Sequence, residues 1–376
     1  MTIPKSQRNR ALDVFRGMTI CFMIIVNSPG NWDVAYAPLL HASWHGFTPT
    51  DLVFPSFLFA VGNSMAFVMY KYEESGSTLF WRKTLKRTII IFILGYLLYW
   101  FPFVQESSTG DLEIKPLEST RVLGVLQRIA LCYLVASVVV RYASTRFVIW
   151  FSGAALMGYW IIMLIYGNTN DPYSLTGNAA LKFDLAVLGE KHLYHGEGVA
   201  FDPEGILSTI PAVVNVLIGY LVGDFIRKRG SNFETIARLM IYGSWLIASA
   251  LMWHTLFPIN KKLWTSSFVL LTIGLDLIII SLLIYYIDIR KNVKWTSFFT
   301  VFGKNPLLIY LLSEILLISL YLIPFGKSSV QQWIAHDIFE SFLSPVNASL
   351  LFALLFMLTN WVVAYILDRS KIYIKV

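Results

Sequence analysis

Charge is what this chain has least of. Only 14% of its 376 residues are Asp, Glu, Lys or Arg, against about 25% in soluble domains, while 56% are hydrophobic and 15% aromatic. That balance excludes a water-soluble globule. Cysteine is nearly absent too. Cys21 and Cys132 are the only two, and both fall in long apolar runs, so loops exported from the cytoplasm have no pair with which to form a disulfide. Several catalytic signatures are also missing: there is no P-loop, no G-x-G-x-x-G after a strand and no G-x-S-x-G elbow. No two His lie at i and i+4 in a helix pattern, and His192 and His195 sit in a loop without a matching carboxylate cluster. No metal is expected.

Apolar runs are what the chain has instead. A hydrocarbon core of about 30 Å takes about 20 helical residues to cross, and runs of that length recur at roughly 11–27, 51–70, 84–104, 121–140, 147–167, 206–226, 237–257, 265–288, 297–325 and 347–367. The fold class this implies is all-α, a polytopic integral membrane protein with about ten transmembrane helices. The ninth run is interrupted at Gly303-Lys304-Asn305-Pro306, where Pro306 removes a backbone donor, so a broken or tilted span is expected there.

Basic residues set the orientation, because cytoplasmic loops retain Lys and Arg. Loops on the N-terminal side hold twenty, among them Arg82, Lys83, Lys86, Arg87, Arg227, Lys228 and Arg229, whereas the opposite loops hold seven, including Lys115, Arg121, Lys261 and Lys262. Both termini are therefore read as cytoplasmic, in agreement with an even number of spans. The net charge of +7 is this topology signal; it is dispersed among loops and forms no stripe, which excludes nucleic acid as a partner and leaves the lipid bilayer. The first run carries Asp13 and Arg16 and no cleavage site follows it, so it reads as a retained helix. Residues 1–376 read as a single membrane domain with exported loops at about 28–50 and 168–205. The second loop is long, and its HLYHGEGVAFDPEG segment mixes aromatics with turn signals, so it is expected to fold over the membrane face.

Polar groups at the edges of the first two runs are the strongest functional signal. A charge at bilayer depth costs on the order of 2.5–3.5 kcal/mol on the lenient insertion scale, yet Asp13 and Arg16 lie inside the first run, Asn27 closes it, His41 and His45 follow, and Asp51 opens the second. Asn27, His41 and Asp51 can meet at one level. A neutral imidazole takes a proton near neutral pH, a carboxylate fixes its tautomer, and an amide donates to a developing oxyanion. Taken singly, each has a plain explanation: a loop histidine, a helix N-cap, a helix terminus. His45 competes with His41, and spacing alone does not separate them. Asp13 and Arg16, three apart, share a helix face and can simply pair. Arg128 and Lys304 have no acidic neighbour in sequence, so each needs a carboxylate from another helix, such as Glu314 or Asp276, or an anionic ligand such as phosphate.

These residues fall in motifs that together resemble the heparan-alpha-glucosaminide N-acetyltransferase family: LDVFRG (Leu12 to Gly17), VN ending at Asn27, HASW (His41 to Trp44), TDLVFPSF (Thr50 to Phe57), GVLQR (Gly124 to Arg128), LGEKHLY from Leu188, FDPEG (Phe201 to Gly205) and GKNPLLIY (Gly303 to Tyr310). They run in one order over most of the chain. The resemblance implies catalytic roles for His41, Asn27 and Asp51. It also implies acetyl-CoA as the cytoplasmic acetyl donor, with Arg8, Arg10, Arg16, Arg128 and Lys304 as binding candidates, an amino-sugar acceptor of the glucosamine type and a homodimer. The chain starts almost directly at its first span, without the luminal extension of lysosomal members, and the expected location is a bacterial inner membrane. A sugar transporter and an O-acyltransferase of a cell-envelope glycan are the alternatives.

Overall fold

The computed structural model describes residues 9–70, 72, 76–106 and 112–374. A helix forms on each of the ten apolar runs. These are α1 (Arg10–Asn27), α2 (Pro49–Ala66), α3 (Ser77–Trp100), α4 (Val125–Tyr142), α5 (Thr145–Tyr166) and, after the short α6 (Ala179–Leu188), α7 (Thr209–Arg229) and α8 (Phe233–His254). Then come α9 (Ser266–Leu283, extended by a π-helical turn over Ile284–Ile289), α10 (Thr296–Lys304), α11 (Pro306–Leu322) and α12 (Pro345–Arg369). Among the described residues, extended structure is confined to two short antiparallel hairpins, Val104–Glu106 with Leu112–Ile114 and Pro324–Phe325 with Ser328–Ser329.

Local chemistry starts and stops these helices. The Asn9 side chain accepts from Leu12 N at the head of α1, and α2 opens with Pro49 at its first position inside a Thr48/Asp51 capping box. Pro306 ends α10 and begins α11, and the chain bends by 86° between them, so the ninth run is a broken element. By length and composition six helices among the described residues can cross a membrane: α4, α5, α7, α8, α9 with its π turn, and α12; the bent α10–α11 pair makes a seventh if taken as one span. The others fall short for identifiable reasons. α1 carries Arg10, Asp13 and Arg16, α3 carries Arg82, Lys83, Lys86 and Arg87, and α2 is diluted by Asp51 and Asn63.

Packing is closest where side chains are smallest. α2 runs along α7, α8 along α9, α3 along α4, and α1 against α10. A Cβ on Gly17 of α1 would stand 1.8 Å from the Phe299 carbonyl oxygen of α10, and one on Gly62 of α2 would stand 2.0 Å from the Val216 carbonyl oxygen of α7. Both obstacles are backbone and cannot rotate away. Gly17→Ala is therefore expected to lose about 3 kcal/mol or more, the top of the usual overpacking range, read as a lower thermal midpoint of the purified protein. Large apolar side chains such as Trp150, Trp245 and Met252 point outward from α5 and α8, a surface that suits lipid and not water.

The segment between α5 and α7 packs as a small second core. Tyr173, Ala179, Ala180, Leu181, Phe201 and Leu207 bury together with Tyr159 and Met163 of α5 and with Phe257 and Leu263. Trp44, in the loop after α1, packs against this core, donating to the Tyr173 carbonyl at 2.9 Å and meeting the Phe201 ring at 5.6 Å. The two long loops thus brace one another at one end of the bundle.

Candidate active site

His41 stands in the α1–α2 loop, which is pinned to the head of α2. Thr50 Oγ1 donates to Pro38 O at 3.0 Å and Thr48 Oγ1 to Leu40 O at 2.7 Å. Asp51, buried to 1% exposure, places Oδ1 2.7 Å from His41 Nδ1, while its Oδ2 accepts from the backbone N–H groups of Thr48 at 2.9 Å and Ala42 at 3.2 Å. The far ring nitrogen, Nε2, lies 3.3 Å from Lys261 Nζ. An ammonium donates and cannot accept, so Nε2 holds the lone pair and Nδ1 carries the proton given to Asp51. Both neighbours enforce one tautomer. His45 contacts Asn260 Nδ2 at 3.3 Å through its Nδ1 and, among the described residues, has no carboxylate hydrogen-bonded to it, which separates the two histidines.

Nε2 faces a cleft with about 370 Å³ of empty space, lined by apolar Met23, Val26, Val53, Phe54 and Val125 and by the polar groups of Asn27, His41, Thr50, Glu204 and Lys261. Asn27 closes α1 and donates through Nδ2 to Glu314 Oε1 of α11 at 3.4 Å. Burial pulls the His41 pKa below its ordinary value, and the Lys261 charge adds to this against the opposing pull of Asp51. The imidazole is thus kept neutral and basic at Nε2.

Glu204 is held from behind by Arg121. The guanidinium reaches both Asp202 oxygens, at 2.9 and 2.6 Å, and Glu204 Oε2 at 2.7 Å, and it lies 4.8 Å from each of the Tyr99 and Tyr194 rings. Burial raises the Glu204 pKa, but the charges of Arg121, Lys261 and Arg128 outweigh it and keep the carboxylate ionised. Arg121→Met would leave two buried carboxylates without their cation, at a cost of about 3–5 kcal/mol. Chemical unfolding of the variant should show that loss, with Arg121→Lys recovering only part because an ammonium has no planar fork.

The remaining cations divide between the two ends of the bundle. Arg128, fully buried in the first turn of α4, donates through Nη2 to Gly205 O at 3.0 Å and to Ser208 Oγ, with its guanidinium 4.8 Å over the Trp264 ring. It therefore sits at the His41 end, because α4 begins there. Arg16 pairs with Asp13 at 2.9 Å and donates to Ser64 Oγ at 2.9 Å, and Lys304 pairs with Asp368 at 2.6 Å, both at the opposite end, where Arg10 is exposed at the head of α1. Arg8 lies outside the described residues. Neither expected carboxylate partners Arg128 or Lys304: Glu314 faces Asn27, and Asp276 accepts from Ser56. Of the trio, His41 and Asp51 pair directly and Asn27 lines the same cleft as His41; Glu204 and Lys261 line it as well, with Arg121 holding Glu204, and these three carry no role in the reading of the sequence. Their signal is charge in loops that are otherwise poor in it.

Fold and site together define a class, a multi-pass helical membrane protein that presents a His–Asp pair in a cleft at one end of its bundle. The heparan-alpha-glucosaminide N-acetyltransferase catalytic family matches residues 8–253, and the chain belongs to that family. Similar proteins are the heparan-alpha-glucosaminide N-acetyltransferase of Homo sapiens, 26% identical across 98% of this chain and 60% of the relative, and that of Mus musculus, 26% identical across 83% and 54%. The chain thus spans a little over half the length of these relatives.

Proposed function

We propose that this protein is a membrane acetyltransferase that moves an acetyl group from cytoplasmic acetyl-CoA to the amino group of a glucosamine-type sugar on the exported face. The observation that carries the reading is the His41 tautomer: Asp51 holds Nδ1–H at 2.7 Å and leaves the Nε2 lone pair facing the cleft. The family and the names of the relatives support acetyl transfer to a glucosaminide nitrogen.

In direct transfer the sugar amine attacks the thioester carbon. The C–N bond forms, the carbonyl electrons move to oxygen, and His41 Nε2 takes the amine proton. Collapse of the tetrahedral centre breaks the C–S bond, and the departing thiolate receives that proton, giving an acetamide and free coenzyme A. In a two-step route the same lone pair takes the acetyl group first and hands it to the amine. Asp51 stabilises the positive ring in either case. Asn27 gives one amide hydrogen to Glu314 and has a second to offer the oxyanion.

In this reading residues 1–376 form one membrane domain with ten spans and both termini in the cytoplasm of a bacterium, as a homodimer in its inner membrane. Arg8, Arg10, Arg16 and Lys304 hold the donor's phosphates at the cytoplasmic end, whereas Arg128 braces the Gly205–Ser208 segment beside the cleft. The test is to incubate the detergent-purified chain with acetyl-CoA and a panel of amino sugars, reading small-molecule products and intact protein by mass spectrometry. Gain of one acetyl group by an acceptor supports the assignment, and an acetylated His41 peptide selects the two-step route. Sugar uptake into proteoliposomes lacking acetyl-CoA, with no acetylated product, would replace the assignment with a transporter.

A further inference from the structure

The loop after α8 is built to hold one lysine in place. Ile259 O accepts from Gly46 N at 2.8 Å, Asn260 N donates to Thr265 Oγ1 at 3.1 Å, Leu263 N donates to Asn260 Oδ1 at 2.8 Å, and Trp264 N donates to Lys261 O at 3.0 Å. Trp264, fully buried, adopts the left-handed region at φ 54°, a conformation that persists only where surroundings enforce it. The two adjacent lysines have different tasks. Lys262 is paired, with Glu197 Oε2 at 2.6 Å and Ser43 O at 2.8 Å. Among the described residues Lys261 makes no direct ion pair; its ammonium points at His41 Nε2 and lines the cleft with Glu204 and Asn27.

A single lone pair accepts one strong donor at a time. When an amine hydrogen or an acetyl carbon takes that lone pair, the Lys261 ammonium has to leave Nε2. Its four-carbon stem allows the move, and the negative charge of Glu204 keeps it in the cleft. The carbonyl oxygen of an acetyl group at Nε2 is only two bonds away, and that atom gains negative charge as the tetrahedral centre forms. We propose that Lys261 is a further catalytic residue, whose ammonium passes from His41 Nε2 to the acetyl oxygen and, with Asn27, holds the developing oxyanion until the C–S bond breaks. This rests on the acetyltransferase reading above.

Two measurements on the full chain test it. The first is kcat and its pH dependence for wild type, Lys261→Met and Lys261→Arg. Removing one preorganised oxyanion donor costs about 10²-fold or more in kcat, so Lys261→Met should fall by that factor while Lys261→Arg, which still donates a charged N–H, retains more. The charged groups facing His41 are Asp51, Lys261 and Glu204, and Lys261 is the one that pushes its pKa down. Its loss should move the acid limb of kcat/KM to higher pH, a change that a scaffold lysine would not cause. The second is the rate at which diethyl pyrocarbonate modifies His41, read by peptide mass spectrometry above pH 7 and independent of turnover. Lys261→Met should be modified faster, because its Nε2 is uncovered. Unchanged kcat and acid limb in Lys261→Met would overturn the proposal, as would an unchanged modification rate. Wild-type protein that acetylates no acceptor while the modification difference persists would overturn the acetyltransferase reading, and the catalytic role with it, but not the contact.

Discussion

Asp51→Asn should lose acetyl transfer by about 10³- to 10⁴-fold in kcat, the scale set by inverting a catalytic histidine's tautomer in a Ser–His–Asp triad. The carboxylate here has two separate tasks. Oδ2 accepts backbone N–H groups from Thr48 and Ala42, and Oδ1 accepts Nδ1–H from His41. An asparagine amide has one accepting end and one donating end. Turning its NH₂ toward Thr48 and Ala42 sets donor against donor, so the amide oxygen must stay there and the NH₂ must face His41. Nδ1 then becomes the acceptor, the ring proton moves to Nε2, and the lone pair that faced the cleft is gone. The capping box survives, because the amide oxygen still accepts the Thr48 N–H from the third helical position, so thermal unfolding should change by less than about 1 kcal/mol while kcat collapses. Asp51→Glu, which keeps the acceptor-only chemistry but lengthens the arm, should retain more activity than Asp51→Asn. Transfer within tenfold of wild type in Asp51→Asn would show that the tautomer does not govern the reaction.

The apolar runs located the helices because twenty-residue hydrophobic stretches leave little choice of structure in lipid. Pro306 marked the break that the structure shows as an 86° bend. The membrane-crossing tally was harder to read, since charges in α1 and α3 sit within helices whose remaining length is apolar. The His41–Asp51 pair was readable because its members lie ten residues apart and a capping box fixes the geometry between them. Glu204 and Lys261 arrive from loops more than a hundred and fifty residues away, and nothing local distinguishes Lys261, beside His41, from Lys262, beside Glu197. Arg128 shows the same limit from the other direction. An arginine in an apolar run with no acidic neighbour in sequence calls for a carboxylate from another helix or an anion such as phosphate, whereas its acceptors are Gly205 O and Ser208 Oγ, which only the fold of the long loop supplies. Short-range chemistry was visible; long-range partners were not.

His41→Ala is expected to abolish transfer, and its consequences separate a chemical role from a structural one. The side chain is 37% exposed and its hydrogen bonds run to Asp51 and Lys261, not to the core. Removing it leaves Asp51 with both backbone donors, and the Lys261 ammonium, already drawn by the Asp51 charge, can move toward the vacated carboxylate oxygen. The fold should therefore persist, with thermal unfolding near that of wild type. Loss of a positioned general base costs about 10²- to 10⁴-fold, and loss of a nucleophile costs the whole covalent route, so kcat should fall to the limit of detection. Added imidazole can occupy the space left beside Asp51 and should restore a fraction of the rate in proportion to its concentration, because the side chain it replaces lines the cleft and is partly exposed. Rescue by imidazole together with unmodified protein would assign His41 to proton transfer. A wild-type protein that accumulates acetyl on His41 in the absence of acceptor would assign it to the covalent step. Full activity in His41→Ala would remove this nitrogen from the chemistry and leave Asp51 with its helix-capping task alone.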